Sequence, residues 1–169
     1  NRLNRGNKPS IIHDIKSKKF FHMMAKNKIN HPDWKLKAKP NNGWLIKSHS
    51  SFGGQKVWSN FNQENLTEEI YFQKIIFGQH ISIQFLVEKA KIKILCFCKQ
   101  HFLQEESRPF IICGITTISL KEKIKRKMLS ITKKISKFYS LNGLNSIDTV
   151  IDSDEKVYLI EINPRPGLA

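Results

Sequence analysis

Three stretches of the chain predict an α+β fold. Four β-branched and aromatic runs follow one another between residues 70 and 117, residues 121–140 carry a helical apolar stripe, and the segment from 147 to 163 reads as a closing hairpin. Helix, sheet, helix and hairpin in that order depart from strict β–α alternation, which is the mark of an α+β domain.

Taken in order, residues 1–15 are polar and basic and read as a linker or tail. In residues 17–28, SKKFFHMMAKNK, the helical period places Phe20, Met23 and Met24 on one side, with Ser17 as the N-cap. His31-Pro32 ends that helix, because a residue before proline avoids the α region. Residues 33–43 read as loop. WLIKSHSSFGGQKVW, 44–58, reads as strand, glycine-containing loop and strand. Residues 70–76, 80–88, 91–99 and 109–117 read as successive strands, with turns near Gly78 and at Lys89-Ala90. In 121–140, Ile124, Met128, Ile131, Ile135 and Phe138 recur at helical spacing with lysines between them, and Gly143 ends the element.

Lys and Arg number 29 against 14 Asp and Glu, a net charge of +15. That charge suits a polyanionic partner. Lys far outnumbers Arg, however, whereas readers of bases and phosphates favour Arg as well, so a nucleic-acid partner is disfavoured. A coding preference for Lys, Asn and Ile is the simpler account. No apolar run reaches the length of about eighteen residues that a membrane helix needs. The odd cysteine count (Cys96, Cys98, Cys113) predicts a reducing, cytoplasmic setting. Cys96 and Cys98, two apart on a strand, share a face and read as thiols rather than as a metal site. The first residues carry neither a Met nor an apolar signal region, so the chain reads as an excised or processed piece.

The hairpin is the most informative stretch. With Ser153–Lys156 as the turn, Asp152 faces Val157, and equal steps back and forward place Asp148 opposite Glu161, with Asn163 on the same face. Like charges facing each other destabilise a sheet, and a charge inside an apolar strand needs a partner. A hard divalent cation, which prefers oxygen ligands, resolves the conflict. Two solvent-facing acids at a sheet edge are an equal alternative on the hairpin alone. Arg165, two residues beyond Asn163, tilts the balance toward phosphate chemistry.

EINPRPG, preceded at the same spacing by Asp148, resembles the metal-binding end of the ATP-grasp superfamily. WLIKSHSSFGG is similar to that family's strand lysine and glycine loop, YFQKIIFGQHIS to its hinge, and SKKFFHMMAKNKINHP to its first helix. The resemblance covers about residues 16–169 and implies two α+β lobes with antiparallel sheets sandwiching ATP, the first over 16–76 and the second over 77–169. It further implies that Asp148, Glu161 and Asn163 hold Mg²⁺, or Mn²⁺ in its place. Lys47 and Lys19 (or its neighbour Lys18) would contact the phosphates beneath Gly53 and Gly54. Gln73, Lys74, Ile75 and Ile76 would hold adenine, with the Lys74 carbonyl and the Ile76 N–H meeting its edge, and His80 would lie at the ribose. Gln73 and His80 depart from the acids common there, and Ser146 stands where many ligases have Arg. Arg165 supplies that charge in the carbamoyl-phosphate-synthetase-like branch.

The activity implied is an ATP-dependent ligase joining a small-molecule carboxylate to an amine or thiol through an acyl phosphate, with Lys47 and Arg165 neutralising charge in the transfer. The alternatives are an ATP-grasp kinase and a non-catalytic basic nucleic-acid-binding domain.

Overall fold

β-Branched and aromatic alternation produces nine strands among the described residues, and three helices accompany them. The structure, a computed structural model, describes residues 6–37, 43–48, 56–59, 70–103 and 109–167. In chain order the elements are α1 (Pro9–Ile15), α2 (Lys19–Lys26), β1 (Trp34–Lys35), β2 (Trp44–Ser48), β3 (Val57–Trp58), β4 (Ile70–Lys74), β5 (Gln79–Glu88), β6 (Lys91–Phe102), β7 (Ile112–Thr117), α3 (Glu122–Tyr139), β8 (Gly143–Ile151) and β9 (Val157–Asn163). They form a four-stranded sheet, β1-β4-β2-β3, and a five-stranded sheet, β7-β6-β5-β8-β9.

The chain divides into two compact units. One comprises residues 1–31, 77–99 and 115–169, the other 32–76 and 100–114. One boundary falls after Ile76, and the units interleave in sequence: α1 and α2 group with β8 and β9, not with β2 and β4.

In the larger unit, Ile83, Ile147 and Ile162 stand in register across β5, β8 and β9, and all three are fully buried. Ile81, Phe85 and Leu159 share their burial. α3 packs against β9 and presents Ile124, Met128 and Ile135 to the interior, so its lysine-rich sides are the solvated ones. α3 ends at Tyr139 with Ser140 in the left-handed region, and Gly143, expected to stop the helix, instead opens β8. In the smaller unit, β2 pairs antiparallel with both β3 and β4, and Leu45, Ile46, Val57, Tyr71 and Phe72 are buried.

Several expectations are corrected. The segment read as a tail holds α1, with Pro9 in its first turn and Ile15 buried. Seven residues are too few to show a helical period. Ser17 accepts the Lys19 N–H at 3.3 Å, but Lys18 occupies the N-cap of α2 with no side-chain bond. Part of the expected loop 33–43 is β1, paired with β4.

Candidate functional site

The hairpin reaches its acid pair by a different path from the one the turn predicts. Ile151, not Asp152, pairs with Val157. The register then shifts between Asp148 and Thr149, leaving Ile160 as an extra residue in β9 and restoring Asp148 opposite Glu161. The bulge is why Leu159 and Ile162, three apart, can both be fully buried while Glu161 turns to the other face. Asp152 is released to organise the turn, its Oδ1 accepting the N–H groups of Asp154 at 3.0 Å and Lys156 at 2.8 Å. Glu155 there has a positive φ of 56°, and Lys121 and then Lys123 hold its exposed carboxylate below the usual range.

Two polar rows cross the five-stranded sheet on the face of the acids. One runs Cys98, Ser82, Asp148, Glu161 and the other Cys96, Gln84, Ser146, Asn163. The repulsion between the facing carboxylates is met by separate partners. Asn163 Nδ2 donates to Asp148 Oδ2 at 2.9 Å, and the Lys16 ammonium donates to Glu161 Oε1. Gly167 closes over the second row: its N–H donates to Gln84 Oε1 at 3.2 Å, and a Cβ at that position would lie 2.0 Å from Gln84 Nε2. A side chain at Gly167 would therefore displace the end of the Gln84 side chain. The Cys98 thiol bonds to Cys96 Sγ at 3.6 Å, and burial pushes it up from the ordinary range.

These donors suit a divalent ion of the hard class. Among the described residues no cluster of three or more His, Cys, Asp or Glu is placed to enclose a metal. Two carboxylates and an amide oxygen are the oxygen donors that a hard divalent ion takes, and such an ion completes its shell with water and phosphate oxygens. That Glu161 already holds an ammonium is consistent with a face that demands positive charge.

A second constellation lies in the smaller unit. Lys47, on β2, is buried, and its Nζ donates to Gln73 Oε1 at 3.2 Å and stands 6.0 Å from the Tyr71 ring centre. Gln73 is 2% exposed and its Nε2 has no hydrogen-bond partner among the described residues. A neutral amide oxygen accepts from an ammonium without cancelling its charge. The N–H groups of Lys74 and Ile75 bond to the carbonyls of Asp33 and Gly43, each at 2.8 Å, which fixes the segment leading to Ile76.

Other expected residues are placed differently. Lys19 reaches Asp14 at 2.6 Å on the surface and holds that carboxyl below its usual range, and Lys18 is exposed. Lys16, not considered in the sequence, is the lysine at Glu161, because it caps the C-terminus of the unexpected α1. Three lysines in four residues were signal enough for a helix-end cation; only the phase of α1 selects among them. Arg165 is exposed, its Nη1 donating to the Pro166 carbonyl at 2.9 Å. His80 is half-buried on β5, opposite Val150. Gly53 and Gly54 lie outside the described residues.

A family model described as an ATP-grasp domain matches residues 15–168. The chain is 31% identical over 131 residues to tyramine–L-glutamate ligase of Methanocaldococcus jannaschii, an alignment covering 76% of this chain and 37% of the relative. It is 26% identical over 102 residues to D-alanine–D-alanine ligase of Aquifex aeolicus, covering 60% and 35%. Its fold matches carboxyaminoimidazole ribonucleotide synthase of Aspergillus clavatus complexed with ATP, with a TM-score of 0.76 at 14% identity, over 96% of this chain and 48% of that one. The alignments span little more than a third of the length of either curated relative.

Proposed function

The chain belongs to the ATP-grasp family, and from that premise we propose that it is the nucleotide- and metal-binding core of an ATP-dependent, ADP-forming ligase that joins a carboxylate to an amine. The observation that carries the reading is the face shared by Asp148, Glu161 and Asn163. An amine is preferred to a thiol because tyramine is an amine and D-alanine carries one, and both curated relatives are named as ligases.

Asp148, Glu161 and Asn163 would hold the Mg²⁺ of Mg·ATP, with Mn²⁺ able to replace it. When bound, the ion shields the phosphate oxygens and favours attack at the γ-phosphorus. Lys47, whose ammonium donates to Gln73, neutralises phosphate. Arg165 swings from its own turn to the charge that develops in transfer, and Lys19 serves a phosphate by exchanging its Asp14 partner. The segment Gln73–Ile76 receives adenine and His80 lies toward the ribose. Gly53 and Gly54 bring backbone N–H groups to phosphate and exclude water. A substrate carboxylate oxygen attacks the γ-phosphorus and ADP leaves. The amine nitrogen then attacks the acyl carbon, loses a proton and releases phosphate. The protein's share is position and charge. We place the protein in the cytoplasm, where its three free cysteines stay reduced. Among the described residues no helix is long and apolar enough to cross a membrane.

The test incubates the full-length protein with Mg·ATP, a panel of amino-acid carboxylates and hydroxylamine. A ligase yields acyl hydroxamate together with ADP. ADP with a stable phosphoester and no hydroxamate would mark a kinase instead. Salt-sensitive nucleic-acid binding indifferent to Mg·ATP would mark the basic binding domain.

A further inference from the structure

The N-terminal segment is pinned at both ends. Asn7, 8% exposed, makes three side-chain hydrogen bonds: its Nδ2 donates to Asn145 Oδ1 at 2.7 Å and to the Pro164 carbonyl at 3.0 Å, and its Oδ1 accepts the Asn142 N–H at 2.9 Å. Nine residues later Lys16 caps α1 and places its ammonium on Glu161, with the lysine side chain 18% and the glutamate side chain 29% exposed. Between them Ile15 is buried. Asn7 thus ties the two strands of the acid hairpin together at its open end, the start of β8 through Asn142 and Asn145 and the exit of β9 through Pro164. Such a grip fixes where α1 ends and so where Lys16 reaches.

We propose that Lys16 is a resident counter-cation of Glu161, held there by the Asn7 clasp, and that a divalent ion must displace it to gain the carboxylate. The inference rests on the metal role proposed for Glu161. Its physical basis is competition: one carboxylate oxygen already bonded to an ammonium presents less charge to an incoming ion, and in a half-buried place that loss is poorly screened. The device keeps the facing acids neutralised when no ion is present and sets a threshold for ion capture. Asn7, far from Glu161 in sequence, becomes a positioning residue for that threshold.

The experiment measures Mn²⁺ binding without nucleotide by electron paramagnetic resonance on the full-length protein, with melting curves to confirm folding. Lys16→Met should tighten Mn²⁺ binding by roughly three- to tenfold, the range open to a part-buried ion pair. Lys16→Arg should stay near wild type. Lys125→Met, which removes a partner of Glu122 on α3, should change nothing. Asn7→Ala should give a smaller gain in the same direction. Unchanged or weaker Mn²⁺ binding in Lys16→Met, or an equal gain in Lys125→Met, overturns the proposal, as does a failure of both wild type and Lys16→Met to bind Mn²⁺. Glu161→Gln separates the two levels. If it weakens Mn²⁺ binding while Lys16→Met has no effect, only the counter-cation is wrong. If Glu161→Gln leaves Mn²⁺ binding intact, the metal assignment falls with it.

Discussion

At the scale of single residues, buried polar groups decide more than the surface charge does. Gln73→Met should destabilise the smaller unit by about 1–3 kcal/mol, because it removes the amide oxygen that buried Lys47 holds. Lys47→Met combined with Gln73→Met should recover part of that loss, since the demand for the oxygen disappears. Denaturant midpoints of the two single variants and the double variant check the coupling. Lys47→Ala should also weaken ATP binding more than Lys125→Ala, whose exposed side chain pairs with Glu122 along α3. Equal losses in calorimetric titration would reduce both lysines to net charge.

Tyr139 supplies a pH signature. Burial, helped by the charge of Asp14, raises its phenol above the ordinary value near 10, and its hydroxyl has no hydrogen-bond partner among the described residues. The folded state therefore keeps a proton that the unfolded chain gives up. This contribution is intact below about pH 10 and declines as pH rises above it. Tyr139→Phe should be neutral or stabilising by up to about 1 kcal/mol at pH 7, and should lose less stability than wild type between about pH 10 and 11. Chemical denaturation across that range is the measurement, and parallel losses in both proteins would contradict it.

At the scale of elements, the hairpin shows what a sequence can and cannot disclose. The spacing of Asp148 and Glu161 placed them opposite each other correctly. It did so through two compensating departures: a turn one residue longer, and a bulge at Ile160. The bulge has no marker in VYLIEIN, because it arises from satisfying Leu159 and Ile162 in one core at once. Long strands and α3 were legible because their periods repeat many times. α1 was not, since seven residues held by Asn7 and Ile15 depend on tertiary contacts. Ser82 and Gln84 joined the acid face only once the register of β5 against β8 was known, and Lys16 only with the phase of α1. Asp152→Ala tests the longer turn: losing two bonds to backbone N–H groups should cost about 1–2 kcal/mol without altering the core, seen as a lower melting temperature with unchanged circular dichroism.

At the scale of the whole molecule, the family was legible because four separated motifs fell in one order, while the interleaving of the two units was not, since it depends on which elements touch. The net charge of +15 gave little about function by itself. Its informative part is local: a buried lysine on a neutral amide in one unit, and an acid face with its own ammonium in the other. The central claim is that this acid face holds the metal of Mg·ATP. The most direct measurement is calorimetric titration of the full-length protein with ATP, with and without Mg²⁺, for wild type and Glu161→Gln. The account predicts that Mg²⁺ tightens ATP binding to wild type by about tenfold or more, and that Glu161→Gln keeps its fold but loses most of that enhancement. ATP binding indifferent to Mg²⁺ in wild type, or full enhancement in Glu161→Gln, would contradict it.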